Sequence, residues 1–351
     1  GPRDKQPVIA IHGWQDNAGT WDNLIPLLPP STAVLCIDLP GHGFSSHYPT
    51  GMLYYVFWDG VVLLRRIMKH FKWSKVSLLG HSLGGALSFM YAASFPDDVD
   101  RIMCIDIASP AVRPPSHLVK STTAMIDKNI DYDHLSEEQL PCLPYEEMID
   151  KVCEAYRGSI SKENCKVLMR RGMMQHPAHL NTPGYFFTRD PRLKVAGLAM
   201  MSIETALEYA TKVKCKVLNI RAVPGQKWER LDYYLDVIEK LKETAEVKYV
   251  EVEGTHHVHL NSPENILKLV QEFICIGRIG LVFIIRRTHA TEYASSKTHC
   301  VQCGSVDAVV VCIQGILKSV ACDASDACDA DNKWSERAAN TSRTRGGYET
   351  F

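Results

Sequence analysis

No stretch of about 18 uninterrupted apolar residues occurs in this chain, so nothing in it reads as a membrane-spanning helix. An excess of either charge is missing too: 39 Lys and Arg against 40 Asp and Glu leave a formal net charge of −1. That removes the electrostatic case for nucleic acid or an anionic membrane surface as partner. Framework spacing of cysteine is also lacking. Twelve cysteines are scattered over 351 residues, and Cys36, Cys104 and Cys215 lie in or beside apolar strand patterns, where a reduced thiol acts as a small hydrophobe. Scattered thiols in a chain this large argue for a reducing, intracellular setting rather than a disulfide scaffold. Residues Gly1 to Lys5 carry neither an initiator methionine nor the pattern of a secretory leader.

What is present is an α/β rhythm. Pro7–Ile11 reads as a buried strand ending at His12-Gly13-Trp14, and the polar Gln15-Asp16-Asn17 caps a helix with Trp21, Leu24, Ile25, Leu27 and Leu28 on one face. Thr32–Ile37 is a second strand, followed by the glycine-rich turn Asp38-Leu39-Pro40-Gly41-His42-Gly43. Met52–Phe71 has helical periodicity, and Lys75–Leu79 and Arg101–Ile107 are further apolar strands. Strands that are apolar throughout and alternate with helices predict a mostly parallel sheet with helices on both faces. From about 110 to 207 the rhythm breaks into helical and irregular segments with repeated prolines and no strand pattern, which predicts a helical insertion. The rhythm returns with a strand at 217–220, a helix from Trp228 to Leu241, a strand at 247–252 and a helix from Pro263 to about Ile274. The expected organisation is therefore a core of 1–109 and 208–275, a helical cap of 110–207 and an irregular or disordered tail of 276–351.

One pentapeptide names a nucleophile. Gly80-His81-Ser82-Leu83-Gly84 sits where a strand hands over to a helix, and a serine on so tight a turn needs small neighbours, which Gly80, Gly84 and Gly85 supply. The Ser82 hydroxyl then stands at the positive end of a helix. A serine hydroxyl at neutral pH needs a base, held by a third polar group. The histidines of Gly254-Thr255-His256-His257-Val258-His259 follow the last strand; His256, nearest the strand end, is the first choice as base and His257 the second. His259 is expected to line the pocket or bond to backbone.

The acid is less direct. The turn after Ile220, Arg221-Ala222-Val223-Pro224-Gly225-Gln226-Lys227, has no carboxylate, and Glu229 and Asp232 lie within the following helix pattern. Asp106, at the end of an apolar strand beside the Ser82 strand, requires a partner if buried, and is the favoured acid; the alternative is an Asp that caps the next turn. Backbone N–H groups of Leu83 and of Trp14, after Gly13, are the expected donors to an oxyanion. Asp38 and His42 are read as stabilisers of their turn. Cys300 and Cys303 beside His299 have half the spacing of a zinc site, with no second close pair.

His12-Gly13-Trp14-Gln15-Asp16-Asn17, Asp38-Leu39-Pro40-Gly41-His42-Gly43, Gly80–Gly85 and Gly254-Thr255-His256, in this order, resemble the α/β-hydrolase superfamily, and within it the animal serine hydrolase-like group that includes kraken. The resemblance covers roughly residues 5–275. It implies an eight-stranded sheet with a helical cap after the sixth strand, with the first strand here matching the family's third and the two N-terminal strands missing. It also implies a serine hydrolase, with Ser82, His256 and Asp106 as triad and Trp14 and Leu83 as oxyanion hole. The expected substrate is a small carboxylic ester, cleaved through an acyl-enzyme with no cofactor, and relatives allow cytoplasmic or peroxisomal settings. Met173, Met174, Tyr185, Phe186 and Phe187 would either shape an apolar acyl pocket or form ordinary cap core. A thioesterase or lyase on the same triad, and a non-catalytic binding protein of this fold, are the rival readings.

Overall fold

A computed structural model of the chain describes residues 1–2, 5–52, 57–135, 139–175, 184–195 and 200–275. The expectations for the tail, including Cys300 and Cys303, lie outside the described residues. Strands β1 (Val8–Ile11) and β2 (Val34–Ile37) come first, followed by helix α1 (Phe57–Phe71), β3 (Val76–His81), α2 (Leu83–Ser94) and β4 (Val99–Ile105). The stretch between 110 and 207 contains α3 (Pro115–Asp133), α4 (Tyr145–Ala155), α5 (Lys162–Gly172), β5 (Met173–Gln175) and β6 (Tyr185–Phe187), and α6 (Ile203–Ala210) runs across its end. The chain then returns to the sheet with β7 (Lys216–Gly225), α7 (Leu231–Lys242), β8 (Val247–Thr255), the short α8 (Val258–Asn261) and α9 (Glu264–Cys275).

Six strands form one parallel sheet in the order β2-β1-β3-β4-β7-β8. The chain begins inside the sheet, steps outward to β2, then turns back past β1 to β3. Strand order therefore reverses between β1 and β3, and the crevice at the carboxyl ends of such a pair is where open parallel sheets hold ligands. The register keeps these ends level: Ile11 is opposite Gly80, His81 opposite Ile105, and Ile105 opposite Ile220.

Alternation along each strand sends side chains to two cores. Ala10, Leu79, Met103, Ile105, Leu218 and Ile220 pack with Trp21, Leu24 and the α9 residues Ile266, Val270 and Phe273. On the opposite face Cys104 lies against Gly85 of α2, and Asn219 accepts from the Tyr234 hydroxyl of α7 at 2.6 Å. Helices thus cover both faces. Among the described residues no helix is long and apolar enough to cross a membrane, and Cys36, Cys104, Cys142, Cys153, Cys165, Cys215 and Cys275 are free thiols.

Four local expectations are corrected. The segment around Trp21–Leu28 forms two 3-10 turns, Ala18–Trp21 and Ile25–Leu27, rather than one helix. The Asn17 side chain caps the first, and Pro26 deprives the second of a donor. β7 runs on through Gly225, where a turn was expected after Ile220, because β8 pairs with it along its whole length. β4 pairs only as far as Ile220, so Pro224 lies where one side of the strand has no ladder. The helix expected from Trp228 starts at Leu231, because the Gln226 side chain accepts from the N–H groups of Trp228 and Glu229, both at 3.0 Å, and holds a turn there first. Finally, the 110–207 stretch contains the antiparallel β5–β6 pair, with Met173 opposite Phe187, too short for periodicity to reveal.

Candidate active site

Ser82 leaves β3 at φ 49° and ψ −118° and becomes the N-cap of α2. A normal N-cap serine is extended and turns its oxygen back to the helix amides; here the side chain makes no cap hydrogen bond, so the hydroxyl is not spent on the helix. The turn closes only around glycine. A Cβ on Gly80 would lie 2.2 Å from the Gly84 carbonyl group, and one on Gly84 would lie 2.0 Å from the Ile11 carbonyl oxygen. The Ser82 N–H donates to the Ile105 carbonyl at 3.1 Å, which extends the β3–β4 ladder by one rung and fixes where the turn begins.

Asp106 takes the equivalent place after β4, fully buried and at φ 54°. Its Oδ1 accepts from the Ala222 N–H at 2.9 Å and its Oδ2 from the Gln226 N–H at 2.7 Å. His256, one residue beyond β8, places Nδ1 2.7 Å from the same Oδ2. An Nδ1–H donating to the carboxylate leaves the lone pair on Nε2, at the far side of the ring. Trp228 packs edge-on to the imidazole, ring centroids 4.4 Å apart at 88°. The stretch without a carboxylate therefore supplies backbone donors to a carboxylate on the neighbouring strand.

Gly13 brings the β1 loop against this turn. A Cβ there would lie 2.9 Å from His81 Nδ1 and 3.3 Å from the Ser82 Cβ. Trp14 follows directly, and with Leu83 it lines one small cleft of about 280 Å³ that Leu39, His42, Phe57 and Leu87 complete. Leu83 is the first residue of α2, so its N–H has no acceptor within the helix. Ser82, His256, Asp106, Gly13 and Leu83 are brought to one end of the sheet from four separate strands.

The other polar residues have structural partners. Asp38 accepts from the N–H groups of Ala18 at 2.7 Å and Phe44 at 2.9 Å, and His42 accepts from the Gln15 N–H at 3.2 Å; both hold turns, as expected. His259 differs from expectation. It is fully buried, bonds to the Thr20 hydroxyl at 2.7 Å and packs against the Trp21 ring. Met173, Tyr185 and Phe187 pack against the core of α4 and α5, while Phe186 and Phe187 also face a larger cleft, of about 1000 Å³, with Tyr48 and Tyr132.

Sequence reasoning missed a cluster behind Ser82. The Nε2 of His81 lies 2.9 Å from the His256 carbonyl oxygen, and its ring centroid is 4.5 Å from that of His256 and 4.6 Å from that of His257. Burial pushes His81 and His257 well below the usual histidine range and holds them neutral. Burial also raises Asp16, beside them, to about 7. Asp16 sits in a loop that reads as an ordinary helix cap, and no local pattern announces that it meets residues 65 and more positions away.

A family model described as the alpha/beta hydrolase fold matches residues 6–140. A "Probable serine hydrolase" of Drosophila melanogaster is 51% identical over 275 residues, which span 78% of this chain and 82% of that protein. A "Serine hydrolase-like protein" of Danio rerio is 31% identical over 78% of this chain and 83% of its own length. Among solved structures, a hypothetical protein of Pseudomonas aeruginosa PAO1 is similar with a TM-score of 0.67 and 26% identity, covering 78% of this chain and 93% of its own. Sheet order, the Ser82 turn and these relatives agree, and the chain belongs to the α/β-hydrolase superfamily, in its serine hydrolase-like group.

Proposed function

We propose that this chain is a serine hydrolase that cleaves a small carboxylic ester through an acyl-enzyme. The observation that carries the reading is the Asp106–His256 pair, 2.7 Å apart, at the same end of the sheet as a strained serine whose hydroxyl is not used as a cap. In this reading Nε2 of His256 takes the proton of Ser82 as Oγ attacks the ester carbonyl carbon. The carbonyl π electrons move to oxygen, and the N–H groups of Trp14 and Leu83 stabilise that charge, by ~3 kcal/mol per donor. Collapse of the intermediate expels the alkoxide, which takes the proton from His256. Water, deprotonated by the same nitrogen, then attacks the acyl-serine and returns the carboxylic acid and free Ser82.

Asp106 holds His256 in the tautomer this sequence of transfers requires. Its own position rests on the amides of Ala222 and Gln226, so orientation is built into the backbone of β7 and the residue that follows it. Residues 110–207 act as the cap over the core of 1–109 and 208–275, and the apolar residues of β5 and β6 contribute to its packing.

Labelling with a fluorophosphonate tests the reading. Wild type is expected to label, and Ser82→Ala and His256→Ala to lose labelling under the same conditions. An intact chain that never labels would overturn it. Turnover of Asp106→Asn on a chromogenic ester should fall by about 10³–10⁴-fold, since the amide favours the wrong tautomer; near-normal turnover removes Asp106 from the triad. Oxyester and thioester substrates run side by side separate an esterase from a thioesterase.

A further inference from the structure

Three buried acceptor atoms converge behind Ser82, on the side of His81 away from the Asp106–His256 pair. They belong to Asp16, His81 and His257, each offering one ligand atom, all within 4.8 Å of one another. Asp16 Oδ2 is 3.8 Å from His81 Nδ1 and 3.9 Å from His257 Nε2. The three residues are 2%, 1% and 4% exposed. Asp16 Oδ2 and His81 Nδ1 have no hydrogen-bond partner among the described residues.

The tautomer of His81 follows from its outer bond. His81 can only donate from Nε2 to the His256 carbonyl, so the proton is on Nε2 and a lone pair is on Nδ1. On His257, Nδ1 lies 2.7 Å from the Ser159 hydroxyl, a group that both donates and accepts; the tautomer with the proton on Nδ1 presents a lone pair on Nε2. The other oxygen of Asp16 accepts from the Asn17 N–H at 2.8 Å, which aims Oδ2 at the two rings. With Asp16 ionised and His257 protonated on Nδ1, three lone pairs face one point, an arrangement that a positive centre between them stabilises. Each ring has a hydrogen-bond partner on its far nitrogen, as ligating imidazoles do.

We propose that Asp16, His81 and His257 form a divalent-metal site behind the nucleophile, for an ion of the borderline class that prefers imidazole and carboxylate. Two imidazoles and one carboxylate suit zinc or a similar first-row ion better than calcium or magnesium, which take oxygen donors. Tetrahedral ligation at ~2.1 Å separates ligand atoms by about 3.4 Å, so the Asp16 oxygen must close on each ring nitrogen by about half an ångström, and the two rings, whose ligand atoms lie within 4.8 Å, by up to about 1.4 Å. Two of the three residues lie on loops, which allows it. Asp16 also lines a small cleft with Gln15, Tyr156 and Arg189, with room for a water as fourth ligand. The ion takes no part in acyl transfer. It ties the loop after β1, the end of β3 and the loop after β8, the three segments that carry Gly13, Ser82 and His256.

Cobalt(II) is the probe, because its spectrum separates imidazole and carboxylate ligands from thiolates, and this chain has 12 cysteines. The full chain, stripped of metal, should bind one Co²⁺ with visible d–d bands, no thiolate charge-transfer band, and a raised thermal midpoint. Asp16→Asn and His257→Gln should each weaken binding by at least about a hundredfold and abolish the thermal shift. Asp16→Asn keeps an acceptor for the Asn17 N–H and gains a donor towards the rings, so its fold is expected to persist. No binding by wild type at about 1 mM Co²⁺, a thiolate spectrum, or undiminished binding in both variants overturns the site. If both variants unfold, the wild-type stoichiometry and spectrum decide alone, a single thiolate-free site supporting it and anything else rejecting it.

Discussion

Ser82 and Asp106 leave neighbouring strands at φ 49° and 54°, backbone that non-glycine residues seldom adopt and that costs about 1–3 kcal/mol each. The two strains differ in how they are held. At Ser82 the glycines on either side remove every Cβ that would block the turn, so the strain is written in adjacent residues. At Asp106 the neighbours are Ile105 and Ile107, which offer no such relief, and the conformation is held by amides 116 and 120 positions along the chain. That is why the serine can be read from its own pentapeptide, whereas the acid needed an argument from burial.

Glu229 provides a second test at this scale. Its Oε1 accepts from the Val112 N–H at 3.1 Å, its Oε2 has no hydrogen-bond partner among the described residues, and burial, aided by the nearby Asp106 charge, raises it from the usual range to about 7. Below about pH 4.5 the carboxyl is neutral in folded and unfolded chains alike. Between there and about 7 the folded chain keeps a proton that the unfolded chain releases, so stability falls as pH rises. Glu229→Gln keeps the acceptor and never ionises. Urea midpoints should coincide at about pH 4.5 and favour the variant at about pH 8.5, by at most about 3 kcal/mol and less in proportion to its partial exposure. Equal midpoints at the higher pH would refute the shift.

Among elements, α5 has the firmest tie to the loops around the site. Arg171 in its last turn pairs with Asp38 and lies over the Phe44 ring at 4.3 Å, while Asp38 itself holds Ala18 and Phe44. Removing the guanidinium leaves a carboxylate that is only 4% exposed without its countercharge. Arg171→Ala should therefore cost about 3–5 kcal/mol in urea denaturation, and Arg171→Lys should recover only part, since an ammonium lacks the planar fork. Strands, α1, α2, α7 and α9 were legible because each carries enough apolar residues to set a period. The β5–β6 pair has three residues a side, and the continuation of β7 past Ile220 depends on β8, so neither has a local signature.

At the scale of the molecule, the reversal of strand order between β1 and β3 creates the crevice, and everything proposed for the chemistry lies at that end of the sheet. A formal net charge of −1 supplies no long-range field to draw a ligand in. Turnover of an uncharged ester should accordingly change by less than about twofold between about 20 and 200 mM salt; a steep decline would point to a charged substrate channel.

Local order was carried by the chain itself. Apolar runs specified buried parallel strands and glycines at 80, 84 and 85 specified a serine turn, because each depends on sterics or hydrophobic period among near neighbours; the superfamily came from the resemblance of four motifs in succession. Tertiary structure alone decided the rest. The Asp106–His256 contact spans 150 residues and the His81–His256 contact 175, and such pairs exist only once parallel strands set four loops side by side. The meeting of Asp16 with His81 and His257 is of the same kind: three residues that look like a cap, a turn and a spare histidine become neighbours only when β1, β3 and β8 share one edge.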